Sequence, residues 1–247
     1  LKKELSNNSG KEKIIFYSES NNYRNYFQTI FKKLLNTEKF LIQYITSDIN
    51  DLEEFEGIKP IYIGNGFFQI IFFTVIKCKF FILTLTNLGN HHLKKSKNCK
   101  CYIYIFHSLV STHKCYEKNA FINYDAVFTV GNYQNNELKK TEEIYRLPQK
   151  KIFNVGYFYT EYIKNKVNLN LVQNNNIILA PSWNRNKKNL FNDFSFEIIK
   201  KLISLKFNVT LRTHPELLKR SNKKLNQIKQ EFGNDKFFNL NSNLNNF

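Results

Sequence analysis

Short runs of consecutive apolar residues alternate along this chain with longer segments whose apolar positions recur every three or four residues. That alternation is the signature of buried strands separated by amphipathic helices. The first run, Lys13–Ser18 (KIIFYS), has strand length and ends in Glu19-Ser20-Asn21-Asn22, a cluster suited to capping a helix. Tyr23, Phe27, Ile30, Phe31, Leu34 and Leu35 then fall at helical spacing, and Phe40–Thr46 is a second strand. Strand, helix and strand in that order predict a parallel sheet.

The alternation continues with Ile61-Tyr62-Ile63 as a third strand, Phe67–Ile76 as a helix, and Phe80–Leu85 and Cys101–Phe106 as strands. Gly64-Asn65-Gly66 lacks the third glycine of a dinucleotide fingerprint and follows the third strand, not the first, so it reads as a plain turn. Tyr116–Tyr124 reads as a short helix, Ala126–Val130 as a strand, Tyr133–Tyr145 as a charged helix and Lys151–Val155 as a strand. The Asn- and Lys-rich stretch Lys164–Asn176 is the best domain boundary. Beyond it come a strand (Ile177–Ala180), a helix (Phe194–Leu205), a strand (Val209–Leu211), a helix (Leu217–Phe232) and a strand (Lys236–Leu240). The expectation is an α/β protein with two Rossmann-like domains, residues 1–163 and 164–247, each on a parallel sheet and the second truncated.

Composition refines this picture. The 247 residues, 42% of them hydrophobic, suffice for one large domain or two small ones. Methionine is absent and the chain closes on NLNSNLNNF, which predicts a fragment. The net charge of +17 favours polyanions: nucleic acid, phosphorylated substrates or an anionic membrane face. The lysines are dispersed, and abundant Asn, Ile, Phe and Tyr with eight Gly and four Pro match an AT-rich genome, so codon usage accounts for part of the charge. No nucleic-acid-binding motif is recognisable, and no nucleic-acid partner is expected. Cys99-x-Cys101 and His113-x-Cys115 offer four zinc ligands on paper, but without the usual C-x2-C spacing. Free thiols in a reducing cytosol and no metal are expected. The longest apolar run, Gly66–Ile76, is too short to span a bilayer and is compatible with a segment lying on a membrane surface.

The candidate chemistry sits where strands end. Cys101–Phe106 stops abruptly at His107-Ser108, before a polar loop with Ser111, Thr112, His113 and Lys114. Open α/β sheets bind ligands outside the carboxyl ends of their strands, and a histidine there has the pKa of a general base for a hydroxyl. A backbone-bonded loop histidine is the alternative. Val209–Leu211 likewise runs into Arg212-Thr213-His214-Pro215: a guanidinium fork, a hydroxyl and an imidazole before a helix start that attracts phosphate. Ser182-Trp183, after Ile177–Ala180, adds a hydroxyl and the only tryptophan. Together the three strand ends describe a cleft for a phosphorylated ligand.

The ordered set of His107-Ser108 to Lys114, AVFTVGNY, LPQKKIFNVGY, ILAPSWN and LRTHP resembles the CDP-glycerol glycerophosphotransferases, the teichoic-acid-type polymerases and primases, over roughly residues 13–240. The resemblance implies a GT-B-like fold and transfer of glycerol phosphate from CDP-glycerol, or a related CDP-polyol, to a lipid-linked acceptor, with release of CMP and no cofactor. It implies two catalytic histidines, His107 as the base and His214, which with Arg212 contacts the donor pyrophosphate and stabilises the leaving CMP. Ser108, His113, Lys114, Ser182, Trp183 and Thr213 complete the implied substrate-binding set. A cytoplasmic location is implied, and peripheral association with the inner face of the plasma membrane is compatible with it. The chain departs from the family at Ser108, where glycine is usual, and at Asn184, where arginine commonly follows the tryptophan; the family's Ser/Asp-rich donor segment would lie beyond residue 247. Two other readings share features with this one: a GT-B sugar-nucleotide glycosyltransferase or UDP-GlcNAc 2-epimerase-like enzyme, and a basic, non-enzymatic binder of polyanions or membranes.

Overall fold

The computed structural model describes residues 11–89, 92–157, 160, 163–164, 175–182, 189–214, 217 and 221–241. The chain divides into two compact units, Leu1–Asn168 and Leu169–Phe247, a division that falls inside the polar stretch noted above.

The first unit is built on seven strands: β1 (Glu12–Ser18), β2 (Phe40–Thr46), β3 (Ile61–Tyr62), β4 (Cys78–Leu83), β5 (Cys99–Ile105), β6 (Ala126–Thr129) and β7 (Lys151–Asn154). They form one sheet in the order β3-β2-β1-β4-β5-β6-β7, and every neighbouring pair is parallel. The apolar runs are continuous because helices cover both faces. Ile15, Tyr17, Phe81, Tyr102 and Tyr104 point into one core with Phe72 and Phe73 of α2 (Phe67–Val75). The alternate residues Ile14, Phe16, Ile82, Ile103 and Ile105 point into the other with Phe27 and Phe31 of α1 (Asn21–Leu35). Helix α1 starts where the cap cluster lies, and the Ser20 hydroxyl accepts from the Asn22 N–H. The chain winds outward from β1 to β3, then returns to lay β4 on the other side of β1. This reversal opens a crevice outside the carboxyl ends of β1 and β4.

One predicted helix is absent. Tyr116–Tyr124 is a series of tight turns, with Ala120 N–H bonding to Glu117 C=O, Ile122 to Asn119 and Tyr124 to Phe121. The short α3 (Thr112–Cys115) precedes it and α4 (Asn132–Tyr145) follows β6. Packing explains the turns: Phe121 and Tyr124 are buried against Tyr104, and the Tyr124 hydroxyl donates to the Leu85 carbonyl.

The second unit holds β8 (Asn176–Leu179), β9 (Asn208–Arg212) and β10 (Phe238–Asn241), parallel in the order β10-β9-β8. Phe191 and Ile199 of α5 (Leu190–Ser204) and Ile228 and Phe232 of α6 (Asn222–Phe232) bury against Val209 and Leu211. The architecture is therefore α/β with parallel sheets, as the alternation predicted.

Candidate active site

Register places the site. Tyr17, Leu83 and Tyr104 lie in one row across β1, β4 and β5. Just beyond that row, at the carboxyl ends of three adjacent strands, stand Glu19, Thr84 and His107. Each carries a polar group that the surrounding protein leaves unbalanced.

The His107 ring packs against Tyr23 at 4.9 Å and Tyr26 at 6.0 Å between centroids. Its Nδ1 is buried without a hydrogen-bond partner. Burial lowers its pKa to about 4, so the imidazole is neutral at physiological pH. Tyr157 donates its hydroxyl to the His107 carbonyl at 3.1 Å, and Tyr26 lies against the Tyr157 ring at 5.8 Å. Thr84 adds a second orphan, since its buried Oγ1 has no partner either. Buried polar atoms are nearly always paired, and two unpaired ones at neighbouring strand ends mark a place where a ligand or water supplies the missing bonds.

Glu19 is the group that sequence reasoning missed, having grouped it with the residues that cap α1. The cap is Ser20; Glu19 itself is mostly enclosed and makes no hydrogen bond or ion pair among the described residues. Burial pushes its carboxyl up to about 7. Its charge reaches the hydroxyls of Tyr17, Tyr23, Tyr104 and Tyr124. A glutamate directly after a fully apolar strand was the available signal.

The loop after His107 is held from α4. Gln134, fully buried, donates to the carbonyls of Ser108 (3.4 Å) and Val110 (3.1 Å) and accepts from the Val130 N–H (3.1 Å). Glu137 accepts from the Thr112 N–H (2.5 Å), the Thr112 hydroxyl (2.9 Å) and the Ser111 hydroxyl (2.9 Å). Burial opposes ionisation of Glu137, but these hydrogen bonds outweigh it and hold the carboxyl below its ordinary value. The Ser108 hydroxyl lies 3.1 Å from the Tyr116 hydroxyl. His113 is exposed, with Nδ1 3.0 Å from Ser111 Oγ and 3.5 Å from Glu137. Lys114 is also exposed. The structure thus sets Ser108 beside His107 by chain continuity, while His113 and Lys114 sit on α3 with no contact to the His107 ring among the described residues.

In the second unit Leu179 of β8 and Leu211 of β9 are register partners, so Ser182 and the Arg212–His214 segment leave the same edge of that sheet. Ser182 is exposed; Thr213 is buried, and its Oγ1 has no hydrogen-bond partner. Arg212 is partly exposed, and the exposed His214 accepts the Leu217 N–H on its carbonyl at 2.8 Å. Trp183 lies outside the described residues. No group of three or more His, Cys, Asp or Glu side chains suited to a metal occurs among the described residues. The four cysteines are free thiols.

A seven-stranded parallel sheet with this reversal, followed by a second parallel unit, is the fold of the GT-B-like α/β proteins. A Listeria monocytogenes protein assigned as a UDP-N-acetylglucosamine 2-epimerase superposes with a TM-score of 0.65 at 11% identity, over 95% of this chain and 70% of its own. The UDP-GlcNAc 2-epimerase of Methanocaldococcus jannaschii gives 0.55 at 13% identity, over 96% of this chain and 74% of its own. The wall teichoic acid polymerase TagF, soaked with CDP-glycerol, gives 0.50 at 10% identity, over 83% of this chain and 56% of its own. At these identities the likeness is one of fold. No family model and no curated protein matches the sequence.

Proposed function

We propose that the chain serves a GT-B-like transfer reaction that moves a glycerol-phosphate, or similar polyol-phosphate, unit from CDP-glycerol to a hydroxyl of a lipid-linked or surface-polysaccharide acceptor. The observation that carries this reading is a neutral, partly exposed His107 imidazole at the carboxyl end of β5. In the reaction the His107 imidazole takes the acceptor's hydroxyl proton as the oxygen attacks the phosphorus nearest the glycerol. The bond from that phosphorus to the bridging oxygen breaks, and CMP leaves with the electron pair. Phosphoryl transfer needs positioning and charge neutralisation more than covalent help. A pKa of about 4 is low for a base, and the negative charge of a bound donor raises it toward neutrality.

The first unit presents the acceptor side and the second the donor side. There Arg212, His214 and the unpaired Thr213 hydroxyl neutralise the pyrophosphate, with Ser182 at the same sheet edge. Among the described residues no helix is long and apolar enough to cross a membrane. On this reading the enzyme works in the cytoplasm, and a lipid-linked acceptor is compatible with peripheral association at the inner face of the plasma membrane.

The test offers the full natural gene product CDP-glycerol, CDP-ribitol, UDP-GlcNAc and other UDP-sugars with a lipid-linked acceptor and identifies the nucleotide released. CMP from a CDP-polyol supports the reading. UDP, or epimerised UDP-GlcNAc without CMP, replaces it with a sugar-nucleotide reaction on the same fold.

A further inference from the structure

Helix α2 is apolar on the side that faces water as well as on the side that faces the core. Phe72 and Phe73 are buried, with Phe73 edge-on to Tyr17 at 4.9 Å and against Phe81 at 5.2 Å. The opposite side leaves Phe67 71%, Phe68 73% and Val75 60% exposed, with Ile71 at 41%. A helix apolar all round belongs in a core or against lipid. Here the second side opens on a cavity of about 1250 Å³ that runs between Phe68, Ile71 and Val75 and the amino-terminal ends of β1 and β4. Contiguous apolar surface of this kind marks an interaction site.

The chemistry of the rim identifies the partner. Lys11, Lys77 and Lys100 line the same cavity, are exposed, and form no ion pair among the described residues. The rim's one carboxylate, Glu12, is already paired with Lys79. An apolar centre with unpaired cations at its margin complements a bilayer surface with acyl chains below and anionic headgroups around. A protein partner would need a buried apolar face ringed by acidic residues. A second copy of this chain fits poorly, because its own lysine rim would face the first.

We propose that the outer face of α2, with Lys11, Lys77 and Lys100, is a docking surface for an anionic phospholipid bilayer. Phe67 and Phe68 enter the headgroup–acyl boundary while the lysines lie against the lipid phosphates. The proposal does not rest on the transfer chemistry, because binding needs no nucleotide and no intact His107.

The test is co-sedimentation of the chain, without nucleotide, with vesicles of phosphatidylglycerol or of phosphatidylcholine, beside light scattering of the free chain. Binding to the anionic vesicles is expected to exceed that to neutral ones by about tenfold or more. Lys77→Gln with Lys100→Gln lowers it by about twenty-fivefold, at roughly fivefold per lysine. Phe67→Ser with Phe68→Ser lowers it by about tenfold or more. All four side chains are exposed, so each double variant keeps its circular dichroism and melting temperature. An environment-sensitive dye on Ile71→Cys, in a background where Cys99, Cys101 and Cys115 are changed to Ser, shifts to the blue on anionic vesicles only. Equal binding to both vesicle types, or anionic binding that the phenylalanine variants leave unchanged, overturns the proposal. A concentration-dependent dimer abolished by those variants, with no vesicle binding, overturns it in favour of a second copy.

Discussion

The Tyr157 hydroxyl donates to the backbone carbonyl of His107 at 3.1 Å, joining the segment that leaves β7 to the one that leaves β5. The two strands are separated in the sheet by β6, so this single bond fixes the imidazole's backbone from across the carboxyl edge. Tyr26 fills the space between the two rings. Tyr157→Phe should cost about 1 kcal/mol of stability. It should lower the turnover rate roughly tenfold while leaving donor binding unchanged, which steady-state kinetics and donor titration would separate.

Glu19 and His107 make opposite contributions to stability. In the fold Glu19 keeps its proton up to about pH 7, against an ordinary value of 4.5. The folded chain therefore holds the extra proton between those values, and stability falls as pH rises through that window. His107 titrates at about 4 in the fold against 6.5 when unfolded, so the unfolded chain holds the extra proton and stability is lost as pH falls from about 6.5 to about 4. Glu19→Gln should raise the urea midpoint at pH 8, by roughly 1–3 kcal/mol in stability, and leave it unchanged at pH 4. No gain at pH 8 would mean that the carboxyl ionises without penalty.

The buried Asp51 accepts the Tyr44 hydroxyl and pairs with Arg24 at 3.1 Å. Asp51→Ala takes the acceptor from the Tyr44 hydroxyl and the counter-charge from Arg24, which keeps its bonds to the Glu53 and Glu54 carbonyls, and should cost about 3–5 kcal/mol. Tyr44→Phe leaves the ion pair intact and should cost about 1–2 kcal/mol. Urea denaturation of the two variants checks the order.

Thr213 gives a contrast between stability and binding. Its buried hydroxyl has no partner, so Thr213→Val should be neutral or slightly stabilising in the free protein. If the hydroxyl awaits a donor phosphate, the same change weakens CDP-glycerol binding about tenfold, readable by calorimetry. Unchanged affinity would remove Thr213 from the donor site.

The strands were legible because both sheet faces are covered, so buried strands appear as unbroken apolar runs; Phe40–Thr46 has the same bounds in sequence and structure. Tyr116–Tyr124 was not, because its aromatic spacing imitates a helix while its hydrogen bonds close tight turns around residues buried against Tyr104. The position of His107 could be read from the abrupt end of an apolar run. Its missing partner could not, since that depends on Tyr23, Tyr26 and Tyr157 arriving from distant segments. Glu19 escaped for the same reason: only burial distinguishes it from an ordinary residue before a helix. Gln134 and Glu137 hold the loop from 24 to 26 residues away, at separations that no local pattern reports.

The central claim is that His107 takes the acceptor's proton. The most direct measurement compares wild type and His107→Ala in the full natural gene product, following CMP release from CDP-glycerol together with the donor's dissociation constant. We expect release to fall by about 10²- to 10⁴-fold with donor affinity unchanged. Release at the wild-type rate, or a loss matched by an equal loss of donor affinity, would contradict a role for His107 as the base.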